Sequence, residues 1–151
     1  YLNEINIKFE LIIVGEILKK KKRYFKKIKK LQNIINKNKF KKIKFLGRQK
    51  SSKVKSLLNL ANIFILPSAS EGLSISLMEA MSMNCICLVS KNSNKSKIIK
   101  NNKNGFIFNL SKNSFENSIK KIINLNNREI MQIQNSARKS ITNLGDNEYK
   151  L

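Results

Sequence analysis

Short apolar runs and amphipathic helical patterns take turns along this chain, and that alternation limits its fold more than any other feature. Phe9 to Val14 reads as a strand ending at Gly15, and Ile43 to Leu46 as a short strand ending at Gly47. Between them, about Leu18 to Lys37 reads as a Lys-rich helix with Tyr24, Ile28, Leu31 and Ile35 as its apolar stripe. Ser51 to Ala61 is helical, with Ser51 or Ser52 as its N-cap. Ile63 to Leu66 is the next strand and stops at Pro67, which a central strand does not carry. A helix over about Ser74 to Met83, a strand over Cys85 to Val89, a brief helical turn at Ile98-Ile99 and a strand over Gly105 to Phe108 follow. Two helices, about Lys112 to Leu125 and Arg128 to Leu144, end the pattern. Strands that alternate with helices imply an α/β fold: a mostly parallel sheet with right-handed crossovers and helices on both faces. No internal repeat or long linker divides the chain, so a single domain is expected.

The 151 residues, 41% of them apolar, are enough for one ordinary core. No apolar stretch approaches the roughly eighteen residues that span a bilayer, and no secretory pattern opens the chain. The start, Tyr1-Leu2-Asn3, has no Met and runs almost at once into a strand-like segment, so a fragment of a longer protein is expected. The net charge of +22 fits a polyanion partner, nucleic acid or an anionic membrane. It also fits codon bias, since Lys, Asn and Ile crowd the sequence together. The lysines lie scattered on polar faces with no RNA-binding aromatic motif, zinc-finger spacing or basic zipper, which weighs against nucleic acid. Cys85 and Cys87 share one face of their strand, and without any His or a second Cys pair they cannot complete a zinc site. They read as buried reduced thiols, which fits a cytoplasmic location.

The segment Pro67 to Ala80, PSASEGLSISLMEA, carries the functional signal. The chain has 9 acidic residues against 31 basic ones, yet Glu71 and Glu79 flank a single strand-loop-helix junction. Gly72 allows close backbone approach or a positive φ. Free N–H groups at the start of the following helix, with its dipole, favour an anion such as a diphosphate. Counted from the helix start, Glu79 lies about 7–8 Å further along the axis, at the reach of ribose hydroxyls. A glutamate near a helix start is also favoured by the dipole alone, so spacing leaves both explanations open. Leu73, Leu77, Met78 and Met81 fall on one side of the helical pattern. Gly15, Gly47 and the Ser68–Gly72 loop all follow strand ends, where α/β sheets bind ligands.

Ordered motifs extend on both sides of that junction. They are Leu11-Ile12-Ile13-Val14-Gly15-Glu16, Phe45-Leu46-Gly47, Ala61-Asn62-Ile63-Phe64-Ile65-Leu66-Pro67-Ser68, Glu71-Gly72-Leu73, Leu77-Met78-Glu79-Ala80-Met81 and Asn104-Gly105-Phe106-Ile107. Together they resemble the C-terminal half of a retaining GT-B glycosyltransferase of family 4, the "glycosyl transferases group 1" domain. The resemblance implies a Rossmann-like domain that binds a nucleotide-diphosphate sugar and passes a hexose-type unit to a glycan or lipid-linked acceptor in polysaccharide biosynthesis. The family's E-x7-E motif falls on Glu71, expected at the donor sugar as the catalytic carboxylate, and on Glu79, expected at the ribose. Gly72, Leu73 and Ser74 are then candidates for backbone contacts to the diphosphate, and Arg48 and Gln49 for contacts to the base. Gly15, Glu16 and Ser68 complete the expected donor-binding set.

No metal or cofactor is expected, because Asp146 is the only Asp and no Asp-x-Asp cation site exists. Several positions depart from the family pattern. Gly-x-Gly reads Gly15-Glu16-Ile17, the usual Gly-x-Pro-Val reads Asn84-Cys85-Ile86-Cys87, and a glutamate before the paired isoleucines is Lys97. The family's Gly-Arg…Lys phosphate segment and its acceptor domain would lie upstream of Tyr1. The expected partners are therefore an N-terminal domain or partner chain and, through a lipid-linked acceptor, peripheral contact with the cytoplasmic face of a membrane. Two other readings stand beside the transferase. One is a non-catalytic half-enzyme that binds nucleotide sugar without turnover, and the other a basic adaptor for nucleic acid or anionic membrane.

Overall fold

A computed structural model describes residues 8–16, 26, 29, 30, 33 and 42–148, the last five of them as backbone alone. The chain divides into two compact units, Tyr1–Val54 and Lys55–Leu151. The Lys-rich helix expected over Leu18 to Lys37 lies mostly outside the described residues, as does its whole apolar stripe. Lys26, Lys29, Lys30 and Asn33, which are described, are helical.

In the first unit, β1 (Leu11–Val14) pairs in parallel with β2 (Ile43–Gly47). Leu11 lies opposite Ile43, and a register shift after Ile13 brings Val14 opposite Gly47. The Gly15 amide donates to the Gly47 carbonyl at 2.9 Å, joining the two strand ends. Both residues have positive φ, +147° and +66°, which side-chain-bearing residues rarely adopt, so glycine is what these two exits require.

The second unit contains a three-stranded parallel sheet in the order β3 (Ile63–Leu66), β4 (Ile86–Ser90), β5 (Phe106–Phe108). α1 (Ser51–Leu60) precedes β3. α2 (Ile75–Ser82) joins β3 to β4, and α3 (Lys112–Ile123) and α4 (Asn127–Glu148) follow β5. Every residue of the central strand β4 is buried, as an apolar run covered on both faces should be. The core gathers Leu77, Ala80 and Met81 of α2, Cys87, Leu88 and Val89 of β4, and Ala137 of α4. α4 packs on α2 and β4, and α3 packs on β5. Phe108 and Phe115 add an edge-to-face contact with ring centroids 5.2 Å apart. Parallel sheets flanked by helices make this an α/β, Rossmann-like fold.

Among the described residues the sequence-based boundaries hold within a few residues except in two places. Ile98 and Ile99 are buried but form no helical turn. Asn94 brackets them instead: its amide donates to the Ile99 carbonyl at 2.9 Å and its carbonyl accepts from the Ile99 N–H at 3.0 Å. The helical turn of that stretch is 3-10, at Lys91–Ser93. At the turn before β4, where the family pattern has glycine, Asn84 stands at φ +59°, a left-handed conformation that Asn tolerates better than most residues. Gln134 and Arg138 of α4 donate to the carbonyls of Asn84 and Ser82, which fastens this turn from outside. Finally, α4 runs on to Glu148 through Gly145, past the expected end at Leu144.

Asn104 and Gly105, part of the ordered motifs, prove to be structural. Asn104 is buried, accepts from the Lys100 N–H, and donates to the Ile98 carbonyl and the Ser140 hydroxyl. A Cβ on Gly105 would come within 2.9 Å of the Cys87 carbonyl, so close packing of β5 against β4 needs glycine there.

Candidate functional site

In the second unit, the loop from Pro67 to Ser74 leaves the carboxyl end of β3 and enters α2. The end of β4 and the segment after it hold this loop and the end of β3 at four points. The Ser93 hydroxyl donates to the Leu66 carbonyl at 3.1 Å, and the Ser90 hydroxyl donates to the Ser68 carbonyl at 2.5 Å. The Glu71 N–H donates to the Asn92 carbonyl at 3.4 Å, and Lys95 Nζ donates to Ser70 Oγ at 2.8 Å. Ser90 and Ser93 are buried and bonded to each other at 2.7 Å. Buried hydroxyls with several partners resist displacement, so the loop leaves the sheet along a fixed path.

On that path the Ser68 hydroxyl donates to Glu71 Oε1 at 2.9 Å, leaving Oε2 with no protein partner among the described residues. Ser74 is the N-cap of α2, with extended backbone (φ −89°, ψ 119°) and a hydroxyl that accepts from the Leu77 N–H at 3.4 Å. The amides of Gly72, Leu73 and Ser74 meet no acceptor among the described residues. Three successive N–H donors before a helix start form a surface receptive to anions. Gly72 does not use positive φ, which narrows the expectation for it, and a Cβ there would meet nothing within 4 Å. Its value is open space in front of the backbone. Leu73 is 47% exposed, apart from the buried stripe that Leu77 and Met81 form, so it borders the loop rather than the core.

Glu79 lies five residues beyond Ser74 on α2, about 7.5 Å along the helix axis. It is half-buried and, among the described residues, has neither an ion pair nor a hydrogen-bond partner for its carboxylate. Glu71 is also half-buried and, among the described residues, without a basic partner. Together the amides and carboxylates can accept a polar ligand with an anionic centre and hydroxyl groups on either side.

The remaining sequence-predicted residues lie in the first unit, at the carboxyl ends of its paired strands. Gly15 and Glu16 follow β1; Arg48 and Gln49 follow β2. Arg48 and Glu16 are exposed, while the Gln49 side-chain amide donates to the Leu46 carbonyl at 2.5 Å. The structure thus groups Gly15, Glu16, Arg48 and Gln49 in one unit, and Ser68, Glu71, Gly72, Leu73, Ser74 and Glu79 in the other.

Cys85 and Cys87 are fully buried free thiols. Burial raises both above the ordinary thiol range, and the charge of nearby Cys85 raises Cys87 further. The Cys85 thiol donates to the Leu58 carbonyl at 3.3 Å. Such thiols are packing groups, not nucleophiles.

Ser90, Ser93 and Lys95 are functional candidates that the sequence reading missed. A signal for Ser90 was present: a hydroxyl closing an otherwise apolar strand, Ile86 to Val89, at the rim where ligands bind.

Comparison with solved structures supports the fold. A glycosyltransferase from Rickettsia africae superposes with a TM-score of 0.76 at 21% identity, over 93% of this chain and 37% of its own. Anabaena HepE, in complex with UDP and glucose, gives 0.71 at 17% identity, over 94% of this chain and 41% of its own. The C-terminal domain of a glycosyl transferase group 1 family protein (LpcC) from Francisella tularensis gives 0.73 at 18% identity, over 93% and 89%. This chain therefore spans well under half the length of the first two. Among curated proteins none matches. The sequence does match the family described as glycosyl transferases group 1 over residues 2–140, nearly the whole chain, and the chain belongs to that family.

Proposed function

We propose that this chain is the donor-binding half of a retaining family 4 glycosyltransferase, moving a hexose-type unit from a nucleotide-diphosphate sugar to a glycan or lipid-linked acceptor. The observation that carries the reading is the pair Glu71 and Glu79, both half-buried and without a basic partner among the described residues, on either side of three open amides. Support comes also from Anabaena HepE, whose structures contain UDP and UDP-glucose.

In this reading the amides of Gly72, Leu73 and Ser74 and the dipole of α2 receive the diphosphate. Glu79 accepts hydrogen bonds from the ribose hydroxyls. Glu71, oriented by Ser68, accepts from the sugar and stabilises the positive charge that develops as the sugar–phosphate bond breaks. The amides stabilise the departing diphosphate at the same moment. The donor is held without a metal, since Asp146 is the only aspartate available. The acceptor is met through an N-terminal domain or partner chain at the cytoplasmic face of a membrane.

The test is calorimetry of the full chain with UDP, GDP, ADP and UDP-glucose, beside a transfer assay on the full-length protein. Glu79→Gln is expected to weaken diphosphate binding about tenfold, the order of one charged hydrogen bond. Glu71→Gln should retain diphosphate binding and lower transfer by roughly 10²- to 10³-fold, as loss of a transition-state contact does. Diphosphate binding with no transfer by the full-length protein would favour the non-catalytic reading. Absence of any diphosphate binding, or wild-type behaviour of both variants, refutes the assignment.

A further inference from the structure

The connection from Lys91 to Lys103 carries Lys91, Lys95, Lys97, Lys100 and Lys103, all exposed, and no acidic residue. Of these five ammonium groups, only that of Lys95 touches the loop between β3 and α2. Its position is set by the scaffold on both sides. Asn92 holds the Glu71 amide, Ser93 holds the Leu66 carbonyl, and Asn94 closes the return of the chain to Ile99.

The partner of Lys95 is unexpected. Glu71 is the very next residue after Ser70, yet the ammonium is bonded to the neutral Ser70 hydroxyl while Glu71 takes the Ser68 hydroxyl. Lys95 is thus tied to the loop without being neutralised. An ammonium has three donors and no acceptor capacity, and the Ser70 contact uses one of them. Gly72 is two residues from Ser70, at most about 7.6 Å along the Cα trace, within the swing of a four-carbon stem.

Charge makes this matter. The open amides of Gly72, Leu73 and Ser74 supply hydrogen bonds but no full charge, while Glu71 and Glu79 add two negative ones. A diphosphate entering there meets repulsion unless a cation is at hand. We infer that Lys95 is a donor-binding residue: it leaves Ser70 and pairs with the diphosphate oxygens, supplying the full positive charge this side of the site needs. The inference rests on the donor-site reading above.

Calorimetry of the full chain with UDP, GDP and ADP, and with the nucleoside of whichever binds, tests it. Lys95→Met should weaken the diphosphate at least about tenfold, the scale of one charge-assisted hydrogen bond, and leave the nucleoside within about twofold. Lys95→Arg should restore most of the loss, and Ser70→Ala, which removes the tether but keeps the ammonium, should bind as the wild type does. Since Lys95 is exposed, thermal melts of the variants should coincide. Wild-type diphosphate affinity in Lys95→Met overturns the inference and leaves the donor site standing. An equal loss in Ser70→Ala also overturns it, because Lys95 would then act by holding the loop. If the wild-type chain binds none of the diphosphates, the donor-site reading falls, and this inference with it.

Discussion

Gly72→Ala separates folding from binding at the point where the two are easiest to confuse. In the free chain the change should be harmless. Gly72 has no positive φ, and an added Cβ meets nothing within 4 Å, so no strain or clash is introduced. Removing a glycine from the unfolded ensemble then stabilises by about 0.4–1 kcal/mol. For a chain of this size that is a rise in Tm of roughly 1–4 °C. With ligand, the same methyl occupies the space through which a phosphate must approach the amides of residues 72–74. A hydrogen bond to these amides needs its acceptor at about 2.9 Å, closer than a methyl group beside it readily permits. Losing or bending one such bond to a charged oxygen costs about 1.5–3 kcal/mol, so affinity for the diphosphate should fall by roughly 10- to 150-fold. Differential scanning calorimetry reads the first effect and isothermal titration with UDP, GDP and ADP the second. A variant that is more stable and binds its diphosphate as tightly as the wild type would refute the idea that the Gly72 backbone receives the phosphate.

Other perturbations probe the scaffold. Ser90→Ala removes the bond to the Ser68 carbonyl and two to Ser93, at a fully buried site. The cost should be about 2–4 kcal/mol, seen as a lower urea midpoint with an unchanged slope. Gly105→Ala places a methyl group 2.9 Å from the Cys87 carbonyl, which belongs to the central strand and cannot move aside, and should cost about 1–3 kcal/mol. Wild-type stability of Gly105→Ala would contradict the tight β4–β5 packing. Cys85 and Cys87 give a pH dependence with a definite sign. Burial raises their folded pKa values, so folded and unfolded chains carry the same thiol protons below the unfolded pKa. Above about pH 8.5 the unfolded thiols ionise first and stability falls, by up to about 1.4 kcal/mol per pH unit for each thiol. Urea titrations between pH 8 and 9.5 should show this slope, and the Cys85→Ala/Cys87→Ala chain should show less of it.

The strands were legible because their signals are local. Ile63 to Leu66 is β-branched and apolar, Pro67 stops it, and the structure keeps those same bounds. The candidate site carboxylates could be singled out because a carboxylate is scarce here and a strand-loop-helix junction is recognisable from its residues alone. The clasp on that junction was not. Ser90 and Ser93 are two serines among many, and nothing local says that their hydroxyls reach the carbonyls of Ser68 and Leu66, more than twenty residues away. Ile98-Ile99 misled for a related reason. An apolar pair buried by side-chain brackets from Asn94 has the same composition as a turn of buried helix, and only the hydrogen bonds distinguish them. Asn84 shows the reverse case. The glycine expected there is replaced, but the left-handed turn it would have made is not lost, because conformation rather than residue type is what the turn between α2 and β4 requires.

The chain's large positive charge bears on the site through what it does not do. Among the described residues Glu10 meets Lys44 and Glu116 meets Lys112, Glu129 accepts from the Asn126 N–H, and Glu16, which is exposed, has no partner. With 31 basic residues against 9 acidic ones, a cation beside any carboxylate is easy to supply. Glu71 and Glu79 have none among the described residues, and the one lysine that reaches their loop is bonded to a hydroxyl instead. A bound ammonium would fill the lone pairs that sugar and ribose hydroxyls need, and a ligand would first have to displace it. Leaving the two carboxylates unpaired costs little at half-buried positions, where water still solvates them. It keeps their acceptor capacity for a polyhydroxyl ligand, and the adjacent but separate Lys95 keeps a positive charge for an anionic one. A site that must accept hydroxyls and phosphate together needs this separation, so introducing a lysine that pairs with Glu79 should weaken nucleotide binding even as it improves the local charge balance.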